Sequence, residues 1–336
     1  MLLGYAVRRL AWVIPIVLGA SIVAFTIMHV APGSPWNREG RQLDPAVVER
    51  LTEELGLDQP LPVQYLAWLG HMLQGDFGIG TSTERYEVAD AVGAAIGPTL
   101  WLCFLAFAVA VGIGVPLGLV AALRQRRPSG YAASILALAG MALPAFALAA
   151  FLQLTLGAPE NFARGPVFPG STPLPPLEGV FPRSGWETPR HWILPTLALA
   201  GLPMAQIARH TKAAVLEVMH ADFIRTAHSK GIPEKQVVRV HLLRNAAIPI
   251  VTIAGSILAL LITGSIVVER VFDIPGLGNL YYFAIRGRDY TLLMAITFIY
   301  AIVVAVANAV VDIAYGVIDP RIRDGSMGAP EAIPGG

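Results

Sequence analysis

Few side chains in this sequence stand at spacings that do chemistry. The seven histidines, His29, His71, His191, His210, His220, His228 and His241, are scattered without a metal-ligand spacing, so no metal site is expected. His210 and His220 suit an interface better than a ligand set. Cys103 is the only cysteine and lies within an apolar run; it reads as a small buried hydrophobe. There is no G-x-x-x-x-G-K-[ST] loop to cradle phosphate, no H-E-x-x-H pair for zinc and no G-x-S-x-G turn to present a nucleophile. No catalytic, metal-binding or cofactor-binding residue is therefore assigned. Two polar features remain. Asn308 and Asp312 lie one helical turn apart in an otherwise apolar stretch, a candidate structural polar pair. The other is the basic segment 209–247, which carries Arg225, Lys230, Arg239 and Arg244.

The elements that must position these residues follow from charge. Of 336 residues, 55% are apolar and only 14% charged, well below the quarter usual in soluble domains. The deficit is uneven. Runs free of Asp, Glu, Lys and Arg cover 10–37, 91–123, 128–159, 191–208, 245–268 and 290–311. A helix needs about 20 apolar residues to cross a bilayer's hydrocarbon. The six runs predict an all-α integral membrane protein with six transmembrane helices. Helices of a soluble core rarely lack charge on every face. Arg8 and Arg9 precede a run too long for a signal peptide and without a clear cleavage pattern, so it reads as an uncleaved first span. A net charge of +1 suggests no nucleic-acid partner.

Basic residues set the orientation. Segments 1–9, 124–127, 209–244 and 312–336 hold 14 of the 24 basic residues and every lysine, whereas 38–90, 160–190 and 269–289 hold 16 of the 23 acidic ones. Lys and Arg are retained in the cytoplasm, so both termini are predicted there. Asp312 would then lie near headgroup level at the cytoplasmic end. An intramembrane acid is a functional candidate by default, but closeness to Asp319-Pro320-Arg321 favours a structural bond.

The chain divides into an N-terminal end with the first span (1–30), an external segment (31–97), a transmembrane core (98–316) and a cytoplasmic tail (317–336). Short external helices are expected at 45–55, capped by Asp44 and stopped by Gly56, and at 63–73. The Pro- and Gly-rich stretch 157–190 reads as an irregular loop. Gly112, Gly114 and Gly118 form a small-residue face suited to close helix contact. Pro15, Pro116, Pro144, Pro195, Pro203 and Pro249 fall within the runs, and a proline in a spanning helix bends it. The segment 209–247 reads as helix 213–229, a break at Gly231, then helix 233–243 with an apolar stripe of Ile232, Val237, Val240 and Leu243. Such an elbow docks on lipid headgroups or on a partner protein, and the residues alone do not choose.

Asp222-Phe223-Ile224-Arg225-Thr226-Ala227-His228-Ser229-Lys230-Gly231-Ile232, with His241-Leu242-Leu243-Arg244-Asn245-Ala246 and Pro249, resembles the EAA loop of ABC importer permeases. It is most similar to the dipeptide/oligopeptide/nickel group, and to the first of its two permease subunits. Val268-Glu269-Arg270-Val271-Phe272, Pro275-Gly276-Leu277-Gly278, Arg288-Asp289-Tyr290 and Asp319-Pro320-Arg321-Ile322-Arg323 resemble later parts of the same family. Gly56-Leu57-Asp58-Gln59-Pro60 and Gly75-Asp76-Phe77-Gly78 resemble its N-terminal part. Arg225 stands where the general motif has Glu, and Thr226 where it has Ala.

The resemblance implies a type I ABC importer transmembrane fold in a prokaryotic plasma (inner) membrane. It implies a coupling loop around Arg225, Thr226, Ala227, Lys230, Gly231, Arg244 and Asn245, in which Ala227 and Gly231 permit close approach. The implied partners are a second homologous permease, two ATPase subunits that hold ATP and Mg, an external substrate-binding protein and membrane lipid. Peptides are the implied cargo, with nickel chelates, glutathione or another small solute as alternatives. An ion-coupled secondary transporter would need carboxylates at mid-depth, and Asp312 is the only acid read even marginally inside a span. An intramembrane enzyme would need a catalytic pair, and none is present.

Overall fold

A computed structural model describes residues 2–30, 58–80, 86–157, 181–182 and 184–318. Among these the chain is helical apart from one small ribbon. The elements are α1 (Leu2–Ala11), α2 (Val13–Val30), α3 (Leu61–Leu73), β1 (Ile79–Gly80), β2 (Tyr86–Glu87), α4 (Val88–Leu123), α5 (Pro128–Ala142), α6 (Ala145–Leu156), α7 (Pro189–Met219), α8 (Asp222–Ser229), α9 (Glu234–Gln236), a π turn (Val237–Leu242), α10 (Leu243–Phe272), α11 (Leu277–Gly287) and α12 (Tyr290–Ile318). The expected helix 45–55 and most of the loop 157–190 lie outside the described residues, as does Asp319-Pro320-Arg321. The expected helix 63–73 is α3, which Pro60 and Pro62 start two residues earlier.

Among the described residues four helical stretches are long and apolar enough to cross a membrane: Gly4–His29, Val88–Leu123, Glu234–Phe272 and Tyr290–Ala314. The bent pair α5–α6 makes a fifth if it is one span. The charge-free run 128–159 is thus not one straight helix but turns by 103°. The cause is local. Leu143 precedes Pro144 and is forced out of the helical region, to φ −113° and ψ 131°. Pro144 then starts α6.

At the centre lies α7. It packs on α4, α5, α6 and α10, with the α4–α7 pairing the most extensive in the fold. Gly114 and Gly118, one turn apart on α4, make that pairing possible. A Cβ on Gly114 would lie 2.8 Å from the Met204 carbonyl oxygen and 3.1 Å from the Ile207 side chain. At Gly118 it would meet the Ala208 carbonyl and Thr211. Gly112 faces open space, so the small-residue face comprises two of the three expected glycines.

Among the described residues there are three apolar cores, one of them under the segment 214–250. Of the other two, one joins α4, α6, α7 and α10 around Leu102, Ala106, Leu194, Ala198, Leu261 and Phe272. The other joins α2, α3, the start of α4, α11 and α12 around Val88, Val92, Leu277, Leu292 and Ile296. The β1–β2 ribbon is antiparallel, Gly80 opposite Tyr86. Beside it Asp76 accepts the Gly78 N–H and faces His71 at 2.9 Å. These two bonds, the backbone one first, hold the Asp76 carboxyl below its ordinary range.

Candidate functional site

The most basic segment builds an exposed helix on a buried foot. Ala221 is extended and Asp222 opens α8, an acid in the first turn where the helix dipole favours it. Ile224 and Ala227, three residues apart, share one face and pack on Ala214, Val215, Val237, Leu242 and Ala246. The opposite face presents Asp222, Arg225, Thr226 and Ser229, all exposed. Arg225 lies 3.6 Å from Asp222. Thr226 donates to the Asp222 carbonyl at 3.0 Å, and Ser229 to that of Arg225 at 3.0 Å.

The C-terminal end of α8 is closed by its backbone. Gly231 takes φ 74°. Its N–H donates to the His228 carbonyl at 2.9 Å, and the Ile232 N–H donates to that of Ala227 at 3.3 Å, the paired bonds of a Schellman closure. His228 Nε2 then meets Glu234 at 3.4 Å, joining α8 to the base of the next helix.

Arg225, Thr226, Lys230 and Gly231 therefore share one exposed elbow. Ala227 does not belong to that surface: it is 4% exposed and faces the chain's own core, so its small size serves internal packing. Arg244 and Asn245 are exposed but sit on the first turn of α10, where Asn245 donates to the His241 carbonyl at 2.6 Å. The expected second helix 233–243 is not a separate element. It forms the foot of a continuous helix, Glu234–Phe272. The π turn shifts its phase, so Val237 and Leu242, five apart, are buried while Val240 is 48% exposed. The expected helix 213–229 is likewise split, since α7 runs to Met219 and breaks at His220–Ala221.

At the far end of that long helix lies a buried carboxylate. Glu269 is fully buried. Its Oε1 accepts from the Thr99 hydroxyl at 3.0 Å and from the Ser265 hydroxyl at 2.8 Å. Its Oε2 accepts from the backbone N–H of Gly278 at 2.7 Å and of Asn279 at 3.3 Å. Thr99 in turn accepts the Leu277 N–H at 2.8 Å. The carboxylate thus satisfies orphan donors in the first turn of α11 and ties that turn to α4 and α10. A Cβ at Gly276 or Gly278 would meet the carboxylate itself. A second buried acid, Asp289, caps α12 through the Leu292 N–H at 3.1 Å and accepts the Tyr86 hydroxyl at 3.0 Å.

The reading of 269–289 as an external segment, with Asp312 as the only acid marginally within a span, passes over Glu269, which is buried near the end of α10. Its signal was present in the chain: it follows the run 245–268 directly, has Ser265 one turn behind it, and precedes Pro275-Gly276-Leu277-Gly278.

Asp312 is paired with Arg9, Nη1 to Oδ2 at 2.9 Å, with side chains 38% and 31% exposed. Tyr5 donates to the Asp312 carbonyl at 3.2 Å and accepts from Arg9 Nε at 3.2 Å. The clamp fastens α1 to α12, which supports a structural bond for Asp312. Asn308 is exposed, and among the described residues the carboxylate's ion partner is Arg9, so the expected Asn308–Asp312 pair gives way to a clamp between helices. Arg270 of α10 lies over the ring of Tyr282 on α11 at 4.6 Å, and Arg286 donates to the Tyr282 hydroxyl at 3.1 Å. That bond, then the two cations, holds the phenol below its ordinary range. Among the described residues no group of His, Cys, Asp and Glu is arranged to hold a metal.

Comparison with known proteins agrees with the geometry. The family of binding-protein-dependent transport system inner membrane components matches residues 114–324, and its N-terminal companion matches 2–84. The oligopeptide transport system permease protein AppB of Bacillus subtilis is 37% identical over 334 residues, covering 95% of this chain and 99% of the relative. The glutathione transport system permease protein GsiC of Shigella flexneri is 37% identical over 323 residues, covering 96% and 99%. The dipeptide transport system permease protein DppB of Bacillus subtilis is 36% identical over 319 residues, covering 95% and 97%. With α8 braced on a long helix and relatives matched over almost their whole length, the chain belongs to the family of binding-protein-dependent transport system inner membrane components.

Proposed function

We propose that this chain, a permease subunit of an ABC importer, forms half of a pathway for di- or oligopeptides across a prokaryotic inner membrane. It works with a second permease, two ATPase subunits and an external binding protein. Nucleotide and Mg belong to the ATPases. The observation that carries this reading is α8: one face is anchored by Ile224 and Ala227, while the other offers Asp222, Arg225, Thr226 and Ser229 to a partner. Relatives named for oligopeptide and dipeptide transport support the cargo.

Six crossings with both termini cytoplasmic are part of the same proposal. The four apolar helices count singly, and α5–α6 counts as one broken span. Neither half, at 15 and 12 residues, reaches across about 30 Å alone. The sixth is α7, whose 31 residues include Pro195 and Pro203 inside the helix. Enclosure by four neighbours lets it carry more polar residues than a lipid-facing helix.

The test of partnership is surface reversal. Deleting 209–247 would remove the ends of α7 and α10, so it would test folding instead. Arg225→Glu with Lys230→Glu, both exposed, is expected to leave the purified chain folded. Recovery of ATPase subunits with it should fall on the order of tenfold, as for about 1.4 kcal/mol lost at a charged contact. Undiminished ATPase recovery would remove α8 as the docking element. Gly231→Val should act similarly through the backbone. Its φ of 74° costs a β-branched residue about 1–2 kcal/mol, and the strain would unwind the C-terminal end of α8.

Asp312→Asn is expected to do little. A half-exposed ion pair is worth about 0–1 kcal/mol, so assembly and uptake should both persist. Intact assembly with lost uptake would instead make Asp312 part of the transport machinery.

A further inference from the structure

The two buried acids lie at the two ends of α11. Three of the four buried residues of α11 are Leu277, Gly278 and Asn279, beside Glu269. Beyond them its outer face is open, with Phe283 and Ile285 each 52% exposed. At the other end Arg288, at φ 51°, turns the chain into Asp289, which caps α12. Helix α11 is therefore a strap, pinned by Glu269 to α10 and by Asp289 to α12.

The strap begins at a seam between two cores. Leu277 and Ala284 belong to the core of α2, α3 and α12, whereas Val268, Phe272 and Ile274 belong to the core of α4, α6, α7 and α10. Thr99 stands between the two, with Ala95 in one core and Leu102 in the other. Polar bonds to Glu269 and Thr99 fasten the strap at this point beside the buried Ile274 and Leu277 side chains. The helix that carries Glu269 begins at Glu234, where His228 of the elbow reaches it. Including its π turn it runs 39 residues, about 58 Å at 1.5 Å per residue.

We propose that Glu269 is a positioning residue for transport: its carboxylate makes α11 follow α10, so that a shift imposed on α8 at one end is delivered as a tilt of α11 at the other. This rests on the importer reading above. Packed elements move as rigid bodies between discrete arrangements, and a helix fixed to α10 at one end and α12 at the other must tilt when those two separate. The device needs acceptors at Glu269, not specifically a charge. Glutamine can supply them, turning its oxygen to the Gly278 and Asn279 N–H groups and its amide to the two hydroxyls. Alanine at 269 cannot, and Thr99→Val removes the bridge to Leu277 with little change of volume.

The experiment uses the whole importer, reconstituted in lipid nanodiscs with its ATPases. Cys103→Ala removes the single native thiol, and Phe283→Cys places a reporter on the exposed face of α11. The rate of labelling by a membrane-impermeant maleimide is read without nucleotide and with trapped ATP, alongside ATPase binding and hydrolysis. In the reporter parent we expect the two rates to differ on the order of fivefold. The difference should survive Glu269→Gln, weaken in Thr99→Val, which keeps the Gly278 and Asn279 bonds to Glu269, and vanish in Glu269→Ala, with ATPases still bound and hydrolysing. A Glu269→Ala importer that responds as fully as the parent would overturn the proposal, and so would a parent that hydrolyses ATP with no change at position 283. Failure of the parent chain to hold any ATPase would instead overturn the importer reading.

Discussion

Glu269→Ala is expected to be the most damaging single substitution for stability. It strips the acceptor from the buried N–H groups of Gly278 and Asn279. Each unmet buried donor costs about 1–3 kcal/mol, so the loss is on the order of 2–6 kcal/mol, a large part of the 5–15 kcal/mol a domain commonly holds. The hydroxyls suffer less, because Thr99 and Ser265 also reach the carbonyls of Ala95 and Ile262. Glu269→Gln keeps the bonds and loses only the charge at the N-terminus of α11, about 0.3–2 kcal/mol. Cys103 provides the measurement. It is the sole cysteine and is buried, so a thiol-reactive dye reports unfolding of the purified chain in detergent. The dye transition should fall steeply in temperature for Ala and only slightly for Gln. Equal transitions would show that the carboxylate does not hold α11.

Gly118→Leu comes next, and its effect is steric. Helices in lipid gain little from the hydrophobic effect and depend on close packing. At Gly118 the backbone of α7 comes so near that a single Cβ would meet the Ala208 carbonyl and Thr211. Leucine there must push apart the most extensive helix pair of the fold. Overpacking alone commonly costs about 1–3 kcal/mol, and disrupting the central helix should cost more. Recovery of folded protein from membranes is expected to collapse. Gly114→Leu should be nearly as harmful, whereas Gly112→Leu, facing open space, should express normally. Equal recovery of all three would mean that the α4–α7 approach does not depend on these glycines.

The helical membrane class was legible in the residues because burial in lipid acts on composition: a run such as 91–123 must shed every charge wherever the helix packs. The positive φ at Gly231 was legible too, since only backbone freedom explains a glycine between a helix and Pro233. The bend within 128–159 was half legible. Pro144 announced it, but the 103° angle depends on what the two halves pack against.

The site was harder to read, for one physical reason. A charged residue's environment is not a property of its type. Asp312 looked like the acid inside a span, yet Arg9, some three hundred positions away in sequence, reaches it in the fold. Glu269 looked like the start of a loop, yet Thr99 and the Leu277–Asn279 turn fold over it. Ala227 looks like part of a docking surface, yet it packs in a core with Ala214 and Val215 of α7 and Val237 and Leu242 of the π turn.

By itself, then, the sequence determined that this chain lives in a membrane, where its long helices lie, and which segment resembles a coupling loop. These rest on local composition and on residue order, which no packing alters. Only the tertiary structure decided which acids are buried, which glycines touch another helix, and that one helix runs from the exposed elbow to Glu269. Those depend on contacts between residues far apart in the chain, and such contacts exist only once the helices have packed.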